Sequence, residues 1–285
     1  MSQAPAGVDD DRALTEAARR VLLDALIALQ EHRDALTIVG AQAIFLRTQN
    51  STIRSAAYTS DGDLSIDPDI LGGEPRLEAA MEQAGFTRMH PELPGLWARP
   101  EQVGKLVVPV EVDLLVPRQL APRPNSRRRT ELPPHSEWAT MKVAGLEAAA
   151  VDRSLMTVTS LTEGDTRRVD AYVAGPAALL IAKAIKLDER IQKATTRPDR
   201  LRNKDAGDVY RIMTTVPIDE VRETFARLCA HPRVGDAAGH GLETLIKLFG
   251  GPSTTATNLA VQALAGDVPE ARVRALAPAY VGALR

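Results

Sequence analysis

With 285 residues, 44% of them hydrophobic and 25% charged, the chain can bury one sizeable core or two modest ones. Lys and Arg number 35 against 37 Asp and Glu, so the formal charge is −2 and any attraction to nucleic acid or anionic membrane must be local. The single cysteine, Cys229, excludes an internal disulfide and a cysteine-based zinc cluster; it suits a reducing cytoplasm and reads as a small buried hydrophobe.

The N-terminal segment carries acids where a secretory signal would be basic and then apolar, and no apolar run of about 18 residues follows anywhere. The expectation is a soluble cytoplasmic protein with no membrane contact. Behind Asp9 to Asp11, Leu14, Ala18, Val21, Leu22, Ala25, Leu26 and Leu29 recur at helical spacing, which predicts an amphipathic helix over 13–33. "ALTIVG" reads as a buried strand that ends in a glycine turn at Gly40, and 41–48 resumes helical character directly behind it. "AYTSDGDLSI" predicts a second strand, and "EPRLEAAMEQAG" a helix closed by Gly85.

In "LVVPVEVDLLVP", Leu106, Val108, Val110, Val112 and Leu114 share one parity while Glu111 and Asp113 share the other, so this strand has one buried and one acidic face. Residues 117–135 hold five prolines and five arginines with no periodicity, which predicts a loop excursion. "SLMTVTSLT" and "RRVDAYVAG" follow as strands about an "EGD" turn. Pro176 opens a helix to about Lys193, and everything from Leu201 onward reads helical. The predicted class is α+β: a mixed-sheet domain over 1–175, carrying an N-terminal helix and the basic loop 117–135, then an all-α domain over 176–285.

The chemistry concentrates in "TSDGDLSID". On a strand, residues i and i+2 share a face, so Asp61 and Asp63 project together while Gly62 leaves the other face free. Two like charges this close call for a cation, and magnesium takes hard oxygen ligands such as carboxylates together with substrate phosphates. Asp113, on the acidic face of its own strand, is the candidate third ligand, with which two Mg2+ ions could clamp a phosphoryl transfer. The D-G pair is equally compatible with a turn. Asp67 and Asp69 flank Pro68 as a turn, Glu111 is either a supporting group or exposed, and His32, His90, His135, His231 and His240 lack ligand spacing.

Further along, Lys183 and Lys186 both fit a solvated surface lysine, but Leu179, Leu180 and Lys183 are helical neighbours, which leans Lys183 towards the buried side, where a lysine has a partner. Asp205 and Asp208 stand one helical turn apart beside Lys204. From Ile38 to Ile212, the order of "IVGAQA", "DGD", Lys183 and "RNKDAGDVY" resembles the AbiEii/MenT-type nucleotidyltransferases, the toxin-like branch of the polymerase-β nucleotidyltransferase superfamily. Ala41 departs from the pattern, standing where that family has a second glycine or a serine.

The resemblance implies a polymerase-β-like fold and an NTP-dependent enzyme that releases pyrophosphate. It implies catalytic roles for Asp61, Asp63, Asp113, Lys183, Asp205 and Asp208, with the first three holding Mg2+, and nucleotide contacts from Gly40, Ala41, Ser60, Lys183 and Lys204. It further implies tRNA as acceptor and an antitoxin partner. Between Pro117 and Lys142 six basic residues face two acids, a local charge of +4. Arg123, Arg127, Arg128 and Arg129 are the candidate RNA-binding residues, and an aromatic content of 4% favours reading RNA shape over base stacking. A small hydroxylated acceptor, and a non-catalytic binding module on the same fold, remain the alternatives.

Overall fold

The computed structural model of the chain describes residues 8–53, 59–122 and 128–285. Helix α1 (Val8–Ala28) buries Val21, Leu22, Ala25 and Leu26 as its periodicity predicts, but the polar run after Leu29 tightens into a 3₁₀ turn over Gln30–Ala35. Strand β1 (Leu36–Val39) is buried along its whole length and passes straight into α2 (Gly40–Arg47). Then come β2 (Asp61–Ile66), α3 (Leu77–Gln83), β3 (Thr87–Arg88), β4 (Leu96–Val103), β5 (Leu106–Pro117) and β6 (Met141–Val143). Strands β7 (Arg153–Thr159) and β8 (Arg168–Ala174) form the predicted hairpin.

One mixed sheet holds all eight strands in the order β3-β4-β5-β2-β1-β8-β7, with β6 extending the β5 pairing. The β2–β5, β5–β6 and β1–β8 pairs are parallel and the others antiparallel. Strand β4 escapes the period-two pattern because Pro100 and Glu101 interrupt it. The structure accommodates them because β3 reaches only as far as Ala98, which leaves 99–103 as sheet edge.

From Pro176 onward every regular element is a helix: α4 (Pro176–Gln192) with Pro176 in its first turn, α5 (Asn203–Thr215), α6 (Ile218–Cys229), α7 (Gly235–Phe249), α8 (Thr255–Ala263) and α9 (Glu270–Gly282). A single apolar cluster joins Leu22 of α1, Val112 of β5, Leu180 of α4, Phe249 of α7 and Val281 of α9, so the helices share their core with the sheet. Cys229 corrects the sequence reading. Helix α6 buries Val221, Phe225 and Leu228, and the next position turns outward, leaving the thiol exposed. Among the described residues no helix is long and apolar enough to cross a membrane.

Candidate active site

Strand β2 runs parallel to β5 in a register that sets Asp61 opposite Glu111 and Asp63 opposite Asp113. Period two puts all four carboxylates on one face, where neighbouring strands lie about 4.8 Å apart. The other face is not free, as the glycine between the acids suggested. A Cβ at Gly62 would come within 3.2 Å of Leu22 Cδ1, so the missing side chain is what lets α1 lie close against the sheet. The acids therefore face away from α1, towards the start of α2.

There Gly40 has a specific task. Its φ of +66° is one that L side chains rarely adopt, and a Cβ on it would sit 1.9 Å from Asp63 Oδ2. The carboxylate of Asp63 occupies the space any other residue would fill. Ala41, the next residue, is half-buried and offers no hydroxyl. Ser60 is exposed, one residue before the strand begins. Its neighbour Thr59, which sequence reasoning gave no role, donates its hydroxyl to Asp61 Oδ1 at 2.9 Å and fixes that carboxylate.

Asp63, Glu111 and Asp113 hold on to their protons. Burial and then the negative charge of Asp61 push Asp63 up to about 6. Asp113 is pushed up to about 9, by burial first and then by Asp63, Asp61 and Glu111. Glu111 also rises, through burial and Asp61. Asp113 Oδ1 is buried without a hydrogen-bond donor, an acceptor held ready for something the protein does not supply.

Facing this array, α4 and α5 build a second cluster of opposite character. Lys183 Nζ donates to Asp205 Oδ1 and to Asp208 Oδ2, both at 2.6 Å, from a side chain only 6% exposed. Burial alone would lower the Lys183 pKa, but Asp208 and Asp205 together raise it above the usual lysine value. Asp205 also pairs with Arg190, and although burial works to raise its pKa, Lys183, Lys186 and Arg190 hold it well below the usual carboxylate range. The sequence-predicted trio thus assembles, but as an internal ion network, so the ammonium of Lys183 is already committed.

Lys186 is the exposed one of the two lysines, yet it is not remote from the acids. It lies one turn beyond Lys183, its side chain is 45% exposed, and its ion pair with Asp205 is long at 3.7 Å. Its positive charge acts on Asp63 and Asp113 as well, placing it beside the acid array. Lys204, half-buried at the start of α5, has its pKa lowered by burial, with Asp208 and Asp61 opposing, so it too stands near the array.

Can the array hold a metal? Among the described residues no three His, Cys, Asp or Glu side chains already close on a single point as a cage. The donor set nonetheless fits magnesium: all hard oxygens, mutually repelling, with one buried oxygen unpartnered.

The predicted RNA-binding arginines divide. Arg123 and Arg127 lie outside the described residues. Arg129 is taken up by the fold, donating to Glu137 Oε1 at 2.6 Å with its guanidinium 4.8 Å above the Trp138 ring. Arg128 is exposed. No protein-family model, no curated protein and no solved structure matches the chain.

Proposed function

We propose that the protein is a magnesium-dependent nucleotidyltransferase that moves a nucleotidyl group from an NTP to an RNA hydroxyl and releases pyrophosphate. One observation carries this reading: four carboxylates on one sheet face, of which Asp63, Glu111 and Asp113 are raised in pKa by burial and by their acidic neighbours, with an unpartnered buried oxygen on Asp113. Uncompensated acids so placed favour a divalent cation, and the sequence resemblance to AbiEii/MenT-type enzymes supports the same chemistry.

Asp61, Asp63 and Asp113 would hold Mg2+, which when bound polarises the phosphate oxygens and neutralises charge that develops on them. The residues of the chain then position and neutralise. Gly40 and the backbone N–H groups at the start of α2 are suited to a phosphate. Lys186, exposed and beside the array, is the cation suited to the departing pyrophosphate, with Lys204 next to it. Lys183, Asp205 and Asp208 act as a brace that fixes α4 against α5 and so sets where Lys186 stands. Asp113, whose Oδ1 has no hydrogen-bond donor, is suited to take up the proton that the acceptor hydroxyl loses. The resemblance favours the tRNA acceptor end as substrate and an antitoxin as protein partner.

The test is label transfer. Purified protein with total RNA, Mg2+ and each α-labelled NTP should yield labelled RNA, and Asp63→Asn should abolish it while the fold stays intact. Absence of transfer from all four NTPs, in magnesium and in manganese, overturns the reading.

A further inference from the structure

We propose that the connection between α4 and α5, with Arg197, Arg200 and Arg202, is the track that holds the phosphodiester backbone of the RNA acceptor, flanked by Arg118 and Arg128. The proposal rests on the nucleotidyltransferase reading for its substrate class, and it moves the RNA contact away from the excursion that the sequence suggested.

Charge use separates the basic residues of this region. Arg190 and Lys193 are spent on Asp205 and Glu189, and Arg129 on Glu137. Arg197, Arg200 and Arg202 are exposed, and among the described residues none pairs with a carboxylate. Three unpaired guanidinium groups within six residues repel one another, a cost that a row of phosphates reverses.

Position supplies the second argument. The connection leaves α4 at Gln192 and doubles back to begin α5 at Asn203, because Asp205 must reach Lys183. Arg202 therefore ends two residues before Lys204, itself beside Asp61. A backbone lying along the arginines leads straight to the acid array. Exposed Arg118 and Arg128 both act on Glu189 of α4, and Arg128 is anchored where its carbonyl accepts from the Lys142 N–H at 2.8 Å. They thus stand near α4, the helix that leads into the arginine-bearing connection.

The chemistry of the connection selects the ligand. No residue from 193 to 204 is aromatic, and Leu201, the one large apolar side chain there, is half-buried, so neither base stacking nor an apolar protein anchor is on offer. What remains is recognition by charge and spacing, which suits a folded RNA.

The experiment measures binding alone, in Mg2+ without NTP, with unfractionated tRNA as probe and poly-glutamate as a second polyanion. Replacing Arg197, Arg200 and Arg202 together by alanine should weaken tRNA binding about tenfold or more at 0.15 M salt and lower the salt slope by about two to three units. The triple lysine variant should restore most of the slope, and Mg-ATP binding should be unchanged in both. Unaltered tRNA affinity and slope in the alanine variant overturns the proposal. So does parallel loss of Mg-ATP binding, which would make the segment part of the nucleotide site, and so does poly-glutamate binding as tight as tRNA. If the wild type binds no tRNA the track falls while nucleotidyl transfer can stand with another acceptor. If it binds with the expected slope yet transfers no label, the track stands and the enzymatic reading falls.

Discussion

Two clusters of acidic residues face each other across the interior of this protein, and they are built on opposite principles. Asp205 and Asp208 share the buried ammonium of Lys183, with Arg190 added to Asp205, so charge is balanced where it is buried. Asp61, Asp63, Glu111 and Asp113 are set side by side by strand register, with no cation bonded to any of them among the described residues, and the pKa values of Asp63, Glu111 and Asp113 are raised instead. The first cluster completes the fold. The second leaves unfinished business, and the difference teaches which acids to regard as functional: those whose charge the protein itself does not answer.

The largest expected effect breaks the balanced cluster. Lys183→Ala leaves two buried carboxylates without their cation and should cost about 3–5 kcal/mol of stability, read from urea unfolding. Wild-type stability in this variant would mean that Asp205 and Asp208 are compensated elsewhere. Gly40→Ala attacks the approach of Asp63 to the start of α2. Positive φ and the overlap with Asp63 Oδ2 together should cost about 1–3 kcal/mol, and metal affinity should fall with it because the carboxylate must move. Titrating Mg2+ into this variant with unchanged affinity would separate Gly40 from the site.

The unbalanced cluster should respond with the opposite sign. A carboxyl whose folded pKa is raised stabilises the fold most below its unfolded value of 3.8 and loses that contribution as pH rises through the folded value, here about 6 for Asp63 and about 9 for Asp113. In EDTA, therefore, the melting temperature should decline from pH 5 towards pH 9. Asp113→Asn should flatten the decline and add about 1–2 kcal/mol at pH 8, a gain in stability at the expense of the proposed metal site. The smallest effect sharpens the same point: Mg2+ binding at pH 7 should release about one proton, measured by calorimetry in buffers of different ionisation enthalpy, since a bound cation requires the ionised carboxylates. Proton-neutral binding would place the metal away from Asp113.

Much of this was legible in the sequence for one reason: period two is strict. Asp61, Asp63, Glu111 and Asp113 reveal their common face through their apolar neighbours, and Lys183 reveals its lean through Leu179 and Leu180. What periodicity cannot carry is register and partnership. That Asp63 meets Asp113 depends on two segments about fifty residues apart aligning in parallel. That Arg129 is consumed depends on Glu137 and Trp138 folding back beneath it. Lys186 looked solvated because it is half exposed, and exposure says nothing of what the exposed end faces. Strand β4 went unread because its proline, Pro100, belongs to a sheet edge, a property of neighbours and not of the segment.

Asp67, at the end of the strand that carries Asp61 and Asp63, is buried and bonded through Oδ2 to Arg233 Nη1 at 2.7 Å. Those partners lie 166 positions apart, so on a ribosome adding about 5–20 residues each second the arginine emerges roughly 10–30 s after the aspartate. For that interval the Asp67 carboxylate lacks the guanidinium that pairs with it in the folded chain. The nascent chain thus carries a built-in delay: the sheet, whose last strand ends at Ala174, is complete in sequence well before the cation that answers Asp67 exists.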